Sequence, residues 1–187
     1  MALTATMYRI DLDLSDIDRG VYLQESLRVA QHPSEELPRV VARVLAYALC
    51  WTENLQFARD LADSETPALT RHDDTGALAQ WIEVGAPAAK RLHRASKQGA
   101  EVTVVTFRGP DDGLDALRRN LLREHVHRAE AITTLALSAS GVAAIADAMG
   151  RSSAWTVIRA SDTLQVLVDG VPYDVELRLG TLDQLMA

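Results

Sequence analysis

The chain has 187 residues, with 19 lysines and arginines against 26 aspartates and glutamates, so its formal net charge is −7. A hydrophobic share of 48% with 24% charged residues is typical of a folded globular domain and excludes a disordered chain. At about 150 residues per domain, this length predicts one domain that covers residues 1–187. The acidic balance excludes a protein whose whole surface binds polyanions, but it is compatible with a local basic patch.

The N-terminal residues and the single cysteine favour a cytoplasmic protein. Arg9, Asp11 and Asp13 interrupt the N-terminal apolar positions before the core of a signal peptide can develop. The longest apolar run, Val44 to Trp51, is much shorter than the about 20 residues that cross a bilayer, so no membrane association is expected. Cys50 has no second cysteine to pair with and lies in an apolar stretch, which predicts a buried structural thiol.

The first predicted elements are a β-hairpin and a helix. Residues 5–14 and 21–30 alternate apolar and polar positions around a turn, as the two strands of a hairpin do. Ser34 is the candidate N-cap of a helix that runs to about Trp51. Pro38 lies in the first turn of this helix or moves its start past Glu36. One apolar stripe with three- and four-residue spacing defines the buried face: Leu37, Val40, Val41, Val44, Leu45, Ala48 and Leu49.

The middle of the chain predicts a strand–helix–strand unit. A strand over Ala77–Val84 follows the turn residues 72–76, and Leu69–Arg71 precedes that turn as a partner strand. A helix over Pro87–Gln98 then buries Ala88, Leu92 and Ala95. The apolar, β-branched stretch Val102–Phe107 predicts a strand covered on both faces, parallel to the earlier one with a right-handed crossover.

The remainder predicts a second crossover and a strand meander. A helix with Leu114, Leu117 and Leu121 on its buried side leads to a strand over Ile132–Leu137. A helix over Gly141–Met149 and three further strands complete the chain: Ala154–Ile158, Leu164–Val168 and Val171–Leu179. The fold class is therefore α/β, with a mixed central sheet, flanking helices and an extra β meander in one domain.

Two features of the middle region carry chemical information. Glu83 lies in an apolar context at the carboxyl end of a predicted parallel strand, where ligand sites gather, and a buried carboxylate there needs an arginine, lysine or metal partner. Lys90, Arg94 and Lys97 form a basic stripe along the next helix. This stripe is either a solvated helix face or a surface that contacts phosphates. Glu83 is either a salt-bridged structural residue or a site residue.

Several segments together resemble the YaeQ family, and the resemblance extends over nearly the whole chain. The segments that carry it are the opening residues 1–6, His32-Pro33-Ser34-Glu35 with Arg39, Arg43 and Ala46-Tyr47-Ala48, and Trp81-Ile82-Glu83-Val84-Gly85 with Pro87 and Lys90-Arg91. The family has no firmly assigned biochemical function. It resembles the PD-(D/E)XK nuclease fold, in which a helix precedes a three-strand meander, a second helix and a parallel strand.

The resemblance implies a Mg²⁺- or Mn²⁺-dependent phosphodiesterase that acts on nucleic acid. In such nucleases carboxylates hold the metal, which activates water and neutralises charge on the phosphate. Glu83 and Glu35 match the metal ligands, and Lys90 matches the group that orients water or phosphate. The resemblance assigns contacts with the nucleic-acid backbone to Arg39, Arg43, Arg91 and Arg94.

The sequence departs from the nuclease pattern at two positions. Pro67 is followed by Ala68 where relatives have an acid after proline, and Pro38 replaces another acid on the first helix. These departures favour an alternative, in which the chain is a catalytically inactive module that binds nucleic acid or a protein partner. A module that binds only protein predicts no nucleic-acid affinity even at low salt.

Overall fold

The computed structural model describes residues 5–58, 66–108, 113–121 and 126–186. Its strands are β1 (Thr6–Asp16), β2 (Val21–Gln31), β3 (Gln56–Phe57), β4 (Leu69–His72), β5 (Leu78–Val84), β6 (Glu101–Thr106), β7 (Thr133–Leu137), β8 (Ser152–Ala160), β9 (Thr163–Val168) and β10 (Val171–Thr181). Its α-helices are α1 (Leu37–Cys50), α2 (Ala89–Lys97), α3 (Leu114–Leu121), α4 (Ala139–Ala148) and α5 (Leu182–Met186).

All the described strands belong to one mixed sheet that is nearly barrel-shaped. The strand order is β2-β1-β8-β9-β10-β7-β6-β5-β4-β3. The pairs β1/β8, β5/β6 and β6/β7 are parallel, and the other neighbouring pairs are antiparallel. The chain is thus a single α/β domain whose sheet joins the N-terminal hairpin to the central strands.

Helix α1 lies in the main core, and a second, smaller core covers the other side of the central strands. The side chains from Val40 to Leu49 are buried, and α1 packs against β2, β5, β6 and α4. Strand β6 serves both cores, since Val105 belongs to the main core and Val104 packs with α2 and α3. Strand β6 is thus apolar on both faces because each face is covered, as its sequence predicts.

The predicted hairpin and both predicted crossovers are confirmed. Strands β1 and β2 pair antiparallel, β5 and β6 are parallel and connected through α2, and β6 and β7 are parallel and connected through α3. The C-terminal strands form the predicted meander β8-β9-β10. The parallel β5-β6-β7 segment places the carboxyl ends of three strands at one edge of the sheet.

The starts of the first two helices differ from prediction. Helix α1 begins at Leu37 with Glu36 as N-cap, because Pro38 fits the first turn, where no N–H is needed. Ser34, the predicted cap, instead bonds the ring of His32 through its Oγ atom at 2.7 Å.

Helix α2 begins at Ala89, so Pro87 precedes the helix instead of opening it. The consequence is a one-residue shift in its buried face. Ala89 is buried and Ala88 is exposed, whereas Leu92 and Ala95 are buried as predicted.

Two expectations from the sequence concern the membrane and the cysteine. No helix of the described residues has the length and apolarity to cross a bilayer. Cys50 is partly buried at the last position of α1, and burial raises the pKa of its thiol to about 12. A thiol with this pKa is neutral at physiological pH, which agrees with a structural role.

Candidate functional site

A cleft of about 440 Å³ opens where α1 begins and β5 ends. Its walls come from five parts of the chain. They are the segment before α1 with the first turns of that helix, the residue after β3, residues 66–68, the end of β5 with the start of α2, and Arg108. The lining residues are His32, Ser34, Glu35, Glu36, Arg39, Arg43, Ala58, Thr66, Pro67, Ala68, Glu83, Val84, Ala86, Pro87, Arg91 and Arg108.

Glu35 is held by two arginines of α1. Its Oε1 accepts hydrogen bonds from Arg39 Nη1 at 2.8 Å and Arg43 Nε at 3.0 Å, and its Oε2 accepts one from Arg43 Nη2 at 2.8 Å. The Arg43 side chain is 1% exposed, against 37% for Arg39. Burial lowers the pKa of Arg43, and the carboxylate of Glu35 opposes that effect. The pair is therefore a buried, bidentate ion pair at the cleft wall, with Arg39 at its exposed rim.

Glu83 is held by a separate set of donors from β5 and α2. Its Oε1 accepts hydrogen bonds from Trp81 Nε1 at 2.7 Å and from Arg91 Nε at 2.5 Å. Arg91 also donates through Nη2 to the carbonyl oxygen of Thr66 at 2.7 Å, and its guanidinium lies 5.6 Å from the centroid of the Trp81 ring. Residues 81 and 83 share one face of the strand, which brings the indole and the carboxylate together beneath α2. The buried Glu83 therefore has the cationic partner that its apolar neighbourhood predicts.

Both helices that flank the cleft begin there. The segments before α1 and α2, which include Glu36 and Pro87, line the cleft directly. Neither helix has an acidic residue in its first turn, and neither N-cap side chain makes a capping hydrogen bond. At the start of α2 no acidic residue of the first turn offsets the partial positive charge, whereas Glu35 and Glu36 lie just before α1. The start of α2 therefore favours an anion in the cleft.

The structure brings together most of the predicted site residues. Five of them line the cleft: Glu35, Glu83, Arg39, Arg43 and Arg91. Lys90 and Arg94 do not line it, and both are exposed on α2. Lys97 is likewise exposed. The predicted site thus divides into a cleft and a separate basic stripe on α2.

Sequence reasoning missed Arg108 and gave little weight to His32. Arg108 lies two residues after strand β6, lines the cleft and pairs through Nη2 with Glu36 Oε2 at 2.5 Å. The carboxyl end of a parallel strand is where ligand residues collect, so the position of Arg108 was the available signal. The ring nitrogen Nδ1 of His32 accepts the Ser34 N–H at 3.2 Å, which leaves Nε2 to carry the proton of the neutral ring.

The donor set of the cleft suits an anion better than a divalent cation. Among residues 5–58, 66–108, 113–121 and 126–186, no group of three His, Cys, Asp or Glu side chains converges as a ligand set. Ala68 presents a methyl group to the cleft where the nuclease pattern has a carboxylate. Both oxygens of Glu35 and one of Glu83 accept hydrogen bonds from arginines. The residues present therefore do not fit a Mg²⁺ or Mn²⁺ centre in this arrangement.

Known proteins match the chain over most of its length. Residues 1–177 match the family described as YaeQ protein. The uncharacterized protein YaeQ of Escherichia coli K12 is 43% identical over 108 residues, which are 57% of this chain and 59% of that protein. The uncharacterized YaeQ protein of Salmonella typhi is 38% identical over the same share. The match thus spans less than two thirds of the length of these curated relatives.

Two solved structures have the same fold. The YaeQ protein from Xanthomonas axonopodis pv. citri superposes with a TM-score of 0.85 at 29% identity, over 94% of this chain and 98% of that one. The YaeQ protein from Pseudomonas syringae superposes with a TM-score of 0.82 at 30% identity, over 94% and 95%.

Proposed function

Since this chain belongs to the YaeQ family, whose matched curated members are uncharacterized, we propose from the cleft itself that the protein binds the phosphate backbone of nucleic acid. In this proposal it acts as a binding module and needs no resident metal. The observation that carries the proposal is the convergence of arginines from α1, from α2 and from the end of β6 on one cleft.

The charges along the cleft leave a cationic surplus. Four arginines and three glutamates are among the described lining residues. Arg39 and Arg43 share the single carboxylate of Glu35, so two guanidinium groups meet one anion. The start of α2 adds partial positive charge. A phosphate diester carries one negative charge and several acceptor oxygens, so it matches this surplus.

The carboxylates hold the arginine side chains in position, and the cleft still keeps a net positive charge. Arg43 is fixed by Glu35 and by the carbonyl oxygen of Ala30 at 2.5 Å, and Arg91 is fixed by Glu83 and Thr66. Donors that are already ordered lose little side-chain entropy when a ligand arrives, which improves affinity. An arginine also presents a planar fork that suits phosphate oxygens. The cleft is thus an ordered set of donors, with Arg39 and Arg108 at its accessible rim.

A Mg²⁺-dependent phosphodiesterase is the second candidate function. It is favoured by the presence of Glu35 and Glu83 in one cleft, and by the order helix, three antiparallel strands, helix and parallel strand from α1 to β6, which is the order that the nuclease resemblance implies. In that candidate the two glutamates are the metal ligands and Lys90 orients water or phosphate. The exposed position of Lys90 outside the cleft weighs against this role.

Fluorescence anisotropy with labelled single-stranded DNA and RNA tests the binding proposal. We expect salt-sensitive binding by the wild-type chain, and a loss of about tenfold or more in the double variant Arg39→Glu/Arg108→Glu with a shallower salt dependence. The matched control Arg118→Glu/Arg119→Glu reverses two exposed charges on α3 and should bind like the wild type. Circular dichroism verifies that each variant is folded.

Three other outcomes would contradict the binding proposal: no binding, binding through the α2 stripe, or metal-dependent cleavage. Wild-type binding that is undetectable at low salt overturns the proposal. So does binding that Lys90→Glu/Arg94→Glu abolishes while Arg39→Glu/Arg108→Glu leaves it intact, because the contact surface is then the α2 stripe. Calorimetric Mn²⁺ binding, together with Mg²⁺-dependent strand cleavage that Glu83→Gln abolishes, establishes the phosphodiesterase instead.

A further inference from the structure

The outermost strand β2 presents a long sheet edge. In the described part of the chain β2 pairs with β1 along Val21–Gln31 and with no strand on its other side. The strand at the opposite end of the sheet, β3, has only 2 residues. A long unpaired edge exposes a row of backbone N–H and C=O groups that can extend the sheet with another strand.

Strand β2 lacks most of the features that block edge-to-edge pairing. It contains neither proline nor lysine, and its register with β1 has no bulge over all 11 residues. Only one of its backbone groups is bound by a side chain of the described residues, the carbonyl of Ala30, which accepts a hydrogen bond from Arg43. The middle of the strand, residues 24–26, is exposed. The edge is therefore accessible around Ser26.

The charges on this hairpin are self-complementary about the middle of β2. On the outer face Arg28 lies opposite Arg9 of β1, a like-charged neighbour, and it forms no ion pair with a described residue. Two positions away Gln24 lies opposite Asp13 and donates to its Oδ2 at 3.1 Å. A groove of about 400 Å³ runs along this region, and its walls include Asp11, Asp13 and Glu25. One part of the hairpin is therefore cationic and the adjacent part is anionic.

We propose that two copies of this chain associate through β2, with antiparallel pairing about a two-fold axis at Ser26. This axis lies at the middle of the strand and gives the longest overlap of one β2 with the other, with the Ala30 carbonyl remaining bound to Arg43. Gln24 of one copy is then opposite Arg28 of the second copy. Asp13 lies one strand further, about 10 Å from that Arg28 backbone, within reach of the arginine side chain.

Other registers that keep the faces of the two strands aligned are less favourable. An axis at Glu25 sets the two Glu25 carboxylates directly opposite each other, which is destabilising. An axis at Leu27 shortens the overlap and brings Arg28 towards Asp11, which Arg9 already binds at 3.3 Å. The axis at Ser26 combines the longest overlap with an acid, Asp13, whose side-chain partner among the described residues is the neutral Gln24. The interface is isologous, so each favourable contact occurs twice.

The proposed arrangement also covers the exposed end of the hairpin. Tyr22, which is 66% exposed, faces Ala30 of the second copy, a small residue just before its cleft segment. Apolar cross-strand neighbours on one face stabilise paired strands. The same pairing places the hairpin tip of one copy beside the start of the other copy's cleft.

Sedimentation equilibrium over a roughly hundredfold range of concentration tests this pairing with the full chain. We expect a monomer–dimer equilibrium for the wild type, and a dissociation constant about tenfold higher for Arg28→Glu, because two attractive contacts become repulsive. The double variant Asp13→Arg/Arg28→Glu exchanges the charges and should restore the wild-type value. Arg119→Glu, the same charge change on α3, is the matched control.

Amide hydrogen exchange gives an independent measurement. At the higher protein concentration we expect slower exchange within residues 22–28 and unchanged exchange in β8 and β9. A wild-type chain that remains monomeric over the whole range overturns the proposal. A dimer that responds equally to Arg28→Glu and Arg119→Glu, or that shows no concentration-dependent protection of β2, places the interface elsewhere and also overturns it.

Discussion

The two ends of α1 carry the same type of charge cluster in different surroundings. At the N-terminal end Glu35 binds Arg39 and Arg43, and all three line an open cleft. At the C-terminal end the fully buried Asp16 binds Arg159 at 3.2 Å and Arg19 at 3.5 Å. Arg19 also donates to two main-chain oxygens, that of Leu49 at 2.6 Å and that of Trp51. The second cluster thus covers the C-terminal end of the helix, whereas the first lines an open cleft.

The difference shows that a cluster of one acid and two arginines does not by itself indicate a binding site. At both ends the charges complement the helix dipole, with carboxylates near the start of α1 and a cation near its end. The helix has no basic residue in its own last turn, so Arg19 of the β1–β2 turn supplies that cation. What distinguishes the N-terminal cluster is access, together with additional arginines from α2 and from the end of β6.

The largest effect is expected from Asp16→Ala, which removes the acid of the closed cluster. Arg159, with a side chain that is 10% exposed, then loses its nearest anion, and we expect a destabilisation of about 3–5 kcal/mol in urea unfolding. Asp18→Ala is the matched control and should cost under about 1 kcal/mol, since that carboxylate is partly exposed and 3.7 Å from Arg159.

The Asp16→Ala variant also tests whether the buried cluster influences nucleic-acid binding at the cleft. Because α1 has 14 residues and is about 20 Å long, its two ends are well separated, and nucleic-acid binding by the folded variant should be unchanged. A large loss of binding in the folded variant would show that the closed cluster also serves the cleft.

Glu35→Gln is expected to lower stability less than Asp16→Ala does. It is also expected to increase the affinity for nucleic acid. The amide oxygen still accepts one hydrogen bond from the buried Arg43, so the cost should be about 1–3 kcal/mol. Removal of a negative charge from the cleft should increase affinity for the phosphate backbone about threefold or more, measured by anisotropy. Glu36→Gln, at an exposed acid of the same cleft, is the control for charge alone. Unchanged or weaker binding in Glu35→Gln would indicate that this cluster is purely structural.

The effect that is smallest near neutral pH concerns Cys50 at the C-terminal end of α1. Burial raises its pKa from 9.0 to about 12, so the folded state holds the proton more tightly than the unfolded state. The contribution of the thiol to stability is therefore complete below pH about 9 and is lost as the pH rises from about 9 towards about 12. Thermal unfolding as a function of pH should show a steeper alkaline decline for the wild type than for Cys50→Ala. Parallel curves would contradict this interpretation.

Local patterns in the sequence were sufficient for most elements of the fold, but not for the short strand β3 and the helix α5. The period-two alternation of β1, the apolar stripe of α1 and the continuous apolar run of β6 each identify an element and its burial, because burial requires that periodicity. Helix starts were less predictable, since Ser34 is a good cap by type but hydrogen-bonds His32 in this turn. The one-residue shift at Ala88 follows from the start of α2 at Ala89, two residues after the predicted start at Pro87.

The candidate site could be predicted only in part. The apolar context of Glu83 and the charges near the start of α1 identify residues of the cleft, and parallel-strand topology indicates the edge where they meet. Arg108 was missed because an arginine after a strand is common and its significance depends on what lies opposite. Lys90 was expected near the acids, but its position on α2 directs it to solvent outside the cleft. The sequence places the start of this helix at Pro87, two residues before its observed start at Ala89.

The amino-acid pattern by itself determined the α/β fold class, the parallel crossovers and the presence of a buried acid that needs a cationic partner. These follow from periodicity and from the cost of burying charge, which are properties of short segments. Tertiary structure decided which arginine binds which acid: Arg91 binds Glu83, and Arg43 binds Glu35. It also decided that the N-terminal end of α1 lines a cleft while the C-terminal end is covered by a buried ion-pair cluster. The physical reason is that access and pairing depend on distances between distant segments, and those distances exist only after the sheet has curved around α1.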